Sequence, residues 1–353
     1  MTTVITSFSQ PVLRGQSRPR TGFASTVLRA LFLSIAMLAA TSIAPRLARA
    51  SDHGDTPLLK SIPRHDARMT DLYAFVRKDC SAFFCRKHLV LVATLDPTIP
   101  PDATTYRFAE DLTVRIAIDN AAEIAFDNPD DVRNFGGTII QPDEIRERIE
   151  FEVRFSEDRT NQPMLRVTGI PRRFRHRIRF FAGLRDDPFI RLPREGRNIA
   201  AIVISVPLRL IVRSQPGLLI WATSEISDIE GQSADLLGRS LRSMFEENDA
   251  FNALHPSEHY DATGLSPDVM IYNTWAPATF PNGRELTDDV VDLVAALGDD
   301  RILQDDQPSP TINDRPFLDE FPYLAPPHQA GGHGDPHPAR LDEIQDWQRD
   351  ELR

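Results

Sequence analysis

The sequence predicts a mainly β protein, an antiparallel β-sandwich-like domain with a few short helices late in the chain. Three observations lead there. Apolar residues recur at every second position in "DLTVRIAID" and "IEFEVRFSE", the pattern of a strand buried on one face. "NIAAIVISV" is apolar almost throughout, as in a strand covered on both faces. Helical periodicity is confined to the later part of the chain.

The first fifty residues carry six arginines, no acidic residue, an apolar run from Ala30 to Ala44, and small residues at Ala48 and Ala50. That is the layout of a signal peptide cut before Ser51. The run is shorter than the roughly 20 residues a bilayer span needs, so no stable membrane span is expected after cleavage, with an uncleaved anchor as the alternative. The expected organisation is a signal peptide over 1–50, a single β-rich domain over 51–328 and a Gly/Pro/His-rich tail with a short terminal helix over 329–353. Export to the periplasm or the extracellular space follows. Loss of the six arginines moves the formal charge from −11 to −17, which argues against nucleic-acid partners.

"LYAFVR" and "HLVLVATLD" flank "DCSAFFCRK" and read as a hairpin pinned by a Cys80–Cys85 disulfide. In an exported chain such a bridge stabilises by about 2 to 3 kcal/mol. The C-x4-C spacing lacks the two-residue gap of common redox and metal pairs. Leu112, Val114, Ile116 and Ile118 then mark one strand, and Ile149, Phe151, Val153 and Phe155 another. In "RRFRHRIRF", alternation would send Arg173, Arg175, Arg177 and Arg179 to one strand face and His176 to the apolar side. The apolar strand from Ile199 to Val206 is followed by "GLLIWATSEI" as its expected neighbour. "LTDDVVDLVAALGD" predicts a helix with Thr287 as N-cap and Gly298 as stop, and "SADLLGRSLRSMFEEN" a second one broken at Gly238. From Asp305 onward Pro and charge take over, and "PPHQAGGHGDPHP" reads as a solvated linker before "LDEIQDWQRDEL".

The stretches "SDHGDTPLL", "TDLYAFV", "YRFAEDLTVRIAIDN", "FFAGLRDDPF", "ENDAFN", "FPNGRELTDDVVDL" and "NDRPFLDEFPYLAPPH" occur in this order. Through them the chain resembles the bacterial exported family catalogued as domain of unknown function 4331, over Asp52 to His328. The resemblance implies an exported β-rich domain without an agreed reaction. Members often carry a D-N-D-G-D loop after the "RIAID" strand; here it reads Asp119, Asn120, Ala121, Ala122, Glu123, which removes most of the oxygen ligands a calcium ion would need.

The candidate metal set is His53, Asp55, Asp71, Asp186 and Asp187: one imidazole and several carboxylates at strand ends, suited to one divalent cation. The competing reading is turn chemistry, since Asp186 and Asp187 precede Pro188 and Asp71 opens a strand. Arg175, Arg177 and Arg179 are a candidate anion platform, against a solvated face pairing with acidic strands. His255 and His259 are four apart without the order of a zinc-protease motif, and His328, His333 and His337 lie where metal would be held only weakly. Hydrolase, P-loop and dinucleotide signatures are absent from the sequence. The function expected is a non-catalytic ligand- or metal-binding or structural β-domain. A metal-dependent hydrolase using the His/Asp cluster is the alternative, and an envelope protein docking a partner through an edge strand is the third option.

Overall fold

The computed structural model describes residues 56–80, 85–100, 103–188, 196–213, 215–227, 233–242, 250–296 and 313–329. In chain order the strands are β1 (Met69–Cys80), β2 (Cys85–Leu95), β3 (Thr113–Asp119), β4 (Ile124–Ala125), β5 (Thr138–Ile139), β6 (Ile149–Phe155), β7 (Pro163–Thr168), β8 (Arg179–Asp186), β9 (Asn198–Pro207), β10 (Gly217–Glu225), β11 (Asp235–Leu237) and β12 (Met270–Asn273). The α-helices are short: α1 (Pro57–Ser61), α2 (Pro129–Phe135), α3 (Ala250–Ala253), α4 (Pro256–Thr263) and α5 (Val290–Ala296).

Two antiparallel sheets carry the fold. The first has the order β1-β2-β9-β8; the second runs β11-β10-β3-β6-β7, with β12 also on β10. Leu91 and Ile204 of the first sheet and Ile116, Phe151 and Ile220 of the second belong to one continuous buried core. The period of two produces this: Val114, Ile116 and Ile118 point into the core, while Arg115 faces outward to Glu150 and Glu152. β9 is buried along its whole length because it is central in its sheet and covered on both faces. The outer face of the second sheet has its own small cluster, in which Leu219, Trp221 and Ile271 are covered by Ile124, Phe126 and Ile139 around the β4–β5 ribbon. The β1–β2 hairpin is long, and its register ends at Cys80 opposite Cys85, which are disulfide-bonded.

Several local expectations are corrected. "GLLIWATSEI" forms β10, yet β10 is not the neighbour of β9: β2 and β8 already occupy both edges of β9, so the chain crosses to the other sheet. Arg172–Arg177 is a 3-10 helix rather than a strand, started by Pro171, whose carbonyl accepts from Phe174 N–H. His176 is consequently exposed, not in the core. "DLL" at 235–237 is strand β11 instead of helix. α5 begins at Val290, because the Asp288 carboxylate is spent on the N–H groups of Phe280 and Glu285 and Thr287 sits in a turn. "HPSEHYD" is helical after all: His255 is the N-cap of α4 and Glu258 closes a capping box. The leader, Gly298, residues 243–249 and the terminal helix lie outside the described residues.

Candidate functional site

The site forms where β8 ends. Asp186 is the last residue of β8, paired with Asn198 at the start of β9, and its carboxyl is 1% exposed. β8 is the outer strand of its sheet, and the segment 313–329 lies along it, with Asp186 N–H donating to the Ala325 carbonyl at 3.2 Å. This segment is anchored by apolar contact. Tyr323 and Leu324 are buried, the Tyr323 ring meets Phe75 edge-on at 6.0 Å, and Phe321 lies 5.4 Å from the Arg179 guanidinium. The Asn198 side chain fixes His328 through its backbone, accepting from its N–H at 2.7 Å and donating to its carbonyl at 3.1 Å.

These contacts bring two residues of the segment to Asp186. His328 Nε2 is 2.8 Å from Asp186 Oδ1 and 3.4 Å from Asp314 Oδ2. One ligand atom from each of Asp186, Asp314 and His328 lies within 4.8 Å of the others. Asn313 Nδ2 donates to Asp186 Oδ2 at 2.8 Å and to the Arg315 carbonyl at 2.9 Å, and Gly196 N–H donates to Asp314 Oδ2. Burial pushes the Asp186 carboxyl up to about 8, and the neighbouring Asp314 charge adds to it against the Asn313 hydrogen bond. A carboxyl held that far up, between an imidazole and a second carboxylate, has reason to accept a positive charge: a shared proton or a cation.

Of the sequence-derived set, Asp186 alone stands at this site among the described residues. Asp186 is central to the site. Asp187, the next residue, is buried and donates its N–H to the Arg197 carbonyl, and it is not one of the three converging residues. Asp71 is on β1, separated from β8 by β2 and β9, and its fully buried carboxylate pairs with Arg284 at 3.1 Å, so it does not meet Asp186. His53 and Asp55 lie outside the described residues. Asp314 was not anticipated, and His328 was expected only as a weak tail donor. Both fall within "NDRPFLDEFPYLAPPH", whose Tyr and Leu residues are the signal that this stretch packs rather than dangles.

The arginines do not build a platform. Arg175 Nε donates to the Ile170 carbonyl at 3.1 Å, Arg177 lies 5.6 Å over the Phe174 ring, and Arg179 pairs with Asp79 at 3.2 Å. Arg175 and Arg177 lie on the 3-10 helix, which turns successive side chains to different sides, while Arg179 opens strand β8. His255 pairs with Glu147 at 2.7 Å. His259 is buried, accepting from Asp268 N–H on Nδ1 while its Nε2 lies 3.0 Å from the Leu254 carbonyl, and burial lowers its pKa to about 4. Asp119, in place of the acidic loop, is saturated by Ala121 N–H, Arg146 N–H and the Arg148 guanidinium. No protein-family model, curated protein or solved structure matches the chain.

Proposed function

We propose that this chain is an exported, non-catalytic β-domain that binds one divalent cation through Asp186, Asp314 and His328. The observation that carries the reading is the convergence of two carboxylates and an imidazole, from the end of β8 and from the segment 313–329, with one ligand atom of each within 4.8 Å of the others and the Asp186 carboxyl buried. Ligand atoms on a tetrahedral shell with bonds near 2.0 Å stand about 3.3 Å apart. The 2.8 and 3.4 Å separations around His328 Nε2 need little adjustment to reach that. The Cys80–Cys85 disulfide and the basic, apolar leader support export, as does the resemblance to the 4331 family.

Equilibrium dialysis of the full-length chain against zinc, manganese, calcium and magnesium, with elemental analysis, tests the cation. One ion per chain is expected, with affinity at least tenfold weaker in Asp314→Asn and His328→Gln. Stoichiometric binding unchanged in both variants, or no binding, overturns the reading. Metal-assisted hydrolysis is the second reading, favoured by the count of three protein ligands, which leaves a position for water. Turnover of activated phosphate or carboxylate esters that disappears in His328→Gln would support it.

A further inference from the structure

Asp314 and His328 stand on either side of the buried Tyr323 and Leu324 in the chain, while Asp186 belongs to the sheet. Any ion held by all three ties the chain on both sides of Tyr323 and Leu324 to β8 at one point. Among the described residues the segment is otherwise held by one backbone hydrogen bond from Asp186 to Ala325, the side chains of Asn198 and Asn313, the Gly196 N–H on Asp314, the Arg179–Phe321 contact, and the apolar packing of Phe317, Phe321, Tyr323, Leu324 and Ala325.

The donor set also speaks to the kind of ion. It offers one imidazole nitrogen and two carboxylates. Among the described residues the remaining contacts are N–H groups, from Asn313 Nδ2 to Asp186 Oδ2 and from Gly196 to Asp314 Oδ2, which occupy carboxylate lone pairs and supply no oxygen. The Asn198 side-chain oxygen is engaged by His328 N–H. Calcium takes six to eight oxygens, and magnesium an octahedron of them that includes several waters. An ion that accepts nitrogen and a low coordination number suits this site better.

On the cation-binding reading given above, we infer that the site selects a zinc-class ion over calcium and magnesium, and that the bound ion is a clamp which closes the segment 313–329 onto the outer strand of the first sheet. The clamp regulates how often the segment lifts and uncovers Phe75, whose ring Tyr323 meets edge-on.

Hydrogen exchange read by mass spectrometry on the full-length chain tests this, with zinc, calcium, magnesium or chelator, alongside dialysis on the same samples. Zinc at stoichiometry is expected to slow exchange of peptides covering 313–329 at least tenfold relative to chelator, with calcium and magnesium at millimolar concentration having no such effect. The zinc effect is expected to vanish in His328→Gln, which keeps the backbone contacts to Asn198, and in Asp314→Asn. Peptides from β2 and β9 report whether each variant is folded. Zinc bound one per chain with no change over 313–329 overturns the clamp and leaves the cation site standing. Equal protection by calcium overturns the selectivity. Absence of any bound ion overturns the cation reading and this inference with it.

Discussion

Replacing Asp71 with Ala is expected to cost about 3 to 5 kcal/mol of folding stability, while leaving ion binding at Asp186 intact. Asp71 and Arg284 are each no more than 1% exposed, and their ion pair spans 3.1 Å. Removing the carboxylate strands a guanidinium where water cannot reach it, and breaking one half of a buried pair costs about that much. Arg284 keeps other contacts, with the Ser240 hydroxyl at 3.0 Å and the Tyr73 ring at 4.1 Å, and these hold the loss toward the lower end. For a chain of this size the midpoint of thermal unfolding would fall by about 2 °C per kcal/mol, so by about 6 to 10 °C. Urea unfolding followed by circular dichroism measures the free energy directly, provided the slope with denaturant is unchanged. The double variant Asp71→Ala with Arg284→Met, which removes both charges and keeps an apolar side chain in place of the arginine, is expected to recover at least half of the loss. A single-variant cost below about 1 kcal/mol, or loss of ion binding in a folded Asp71→Ala, would refute the reasoning, because either would mean that Asp71 is not spent on Arg284.

Three further outcomes follow from the geometry. His259 is held neutral with its pKa near 4 against an ordinary 6.5, so the unfolded chain takes up a proton first; its contribution is present above about pH 6.5 and lost as pH falls toward 4, about 3 kcal/mol in all. The difference in urea stability between pH 7 and pH 4.5 should therefore be smaller in His259→Gln, and an equal difference would contradict it. Gly169 has φ +74° and an added Cβ would run into the Arg148 carbonyl, so Gly169→Ala is expected to lose about 2 kcal/mol or more by the same assay. Replacing both Cys80 and Cys85 with Ser, positions five apart in sequence, should lower stability by about 2 kcal/mol through loop-closure entropy, read as a drop in the urea midpoint.

Elements whose evidence is local are legible in the sequence. β3 and β6 show the period of two because one face is buried, β9 is unbroken because both are, and the hairpin is signalled by two apolar runs around a cysteine loop. What the sequence leaves open is long-range choice. Nothing local in β10 distinguishes pairing with β9 from pairing with β3; the decision rests on which edges are already taken. Arg172–Arg177 alternates like a strand, and the difference is made by Pro171 and by guanidinium groups settling over Phe174. The site follows the same division. Asp186 stands out at the end of a strand, two residues before Pro188. Its partner His328 is 142 residues away, in a stretch where Pro and charge mask the few apolar residues that dock it. The histidine and aspartates directly after the leader, by contrast, attract attention by composition, and the only one of the first three candidates in the described residues, Asp71, is occupied by an arginine.

The most direct measurement is an anomalous difference map from a crystal of the zinc-loaded full-length chain. A single strong peak about 2.0 to 2.2 Å from Asp186, Asp314 and His328 Nε2 is the predicted result. A peak on His333 and His337 with none at Asp186, or no peak from a chain that dialysis has found to bind zinc, would contradict it.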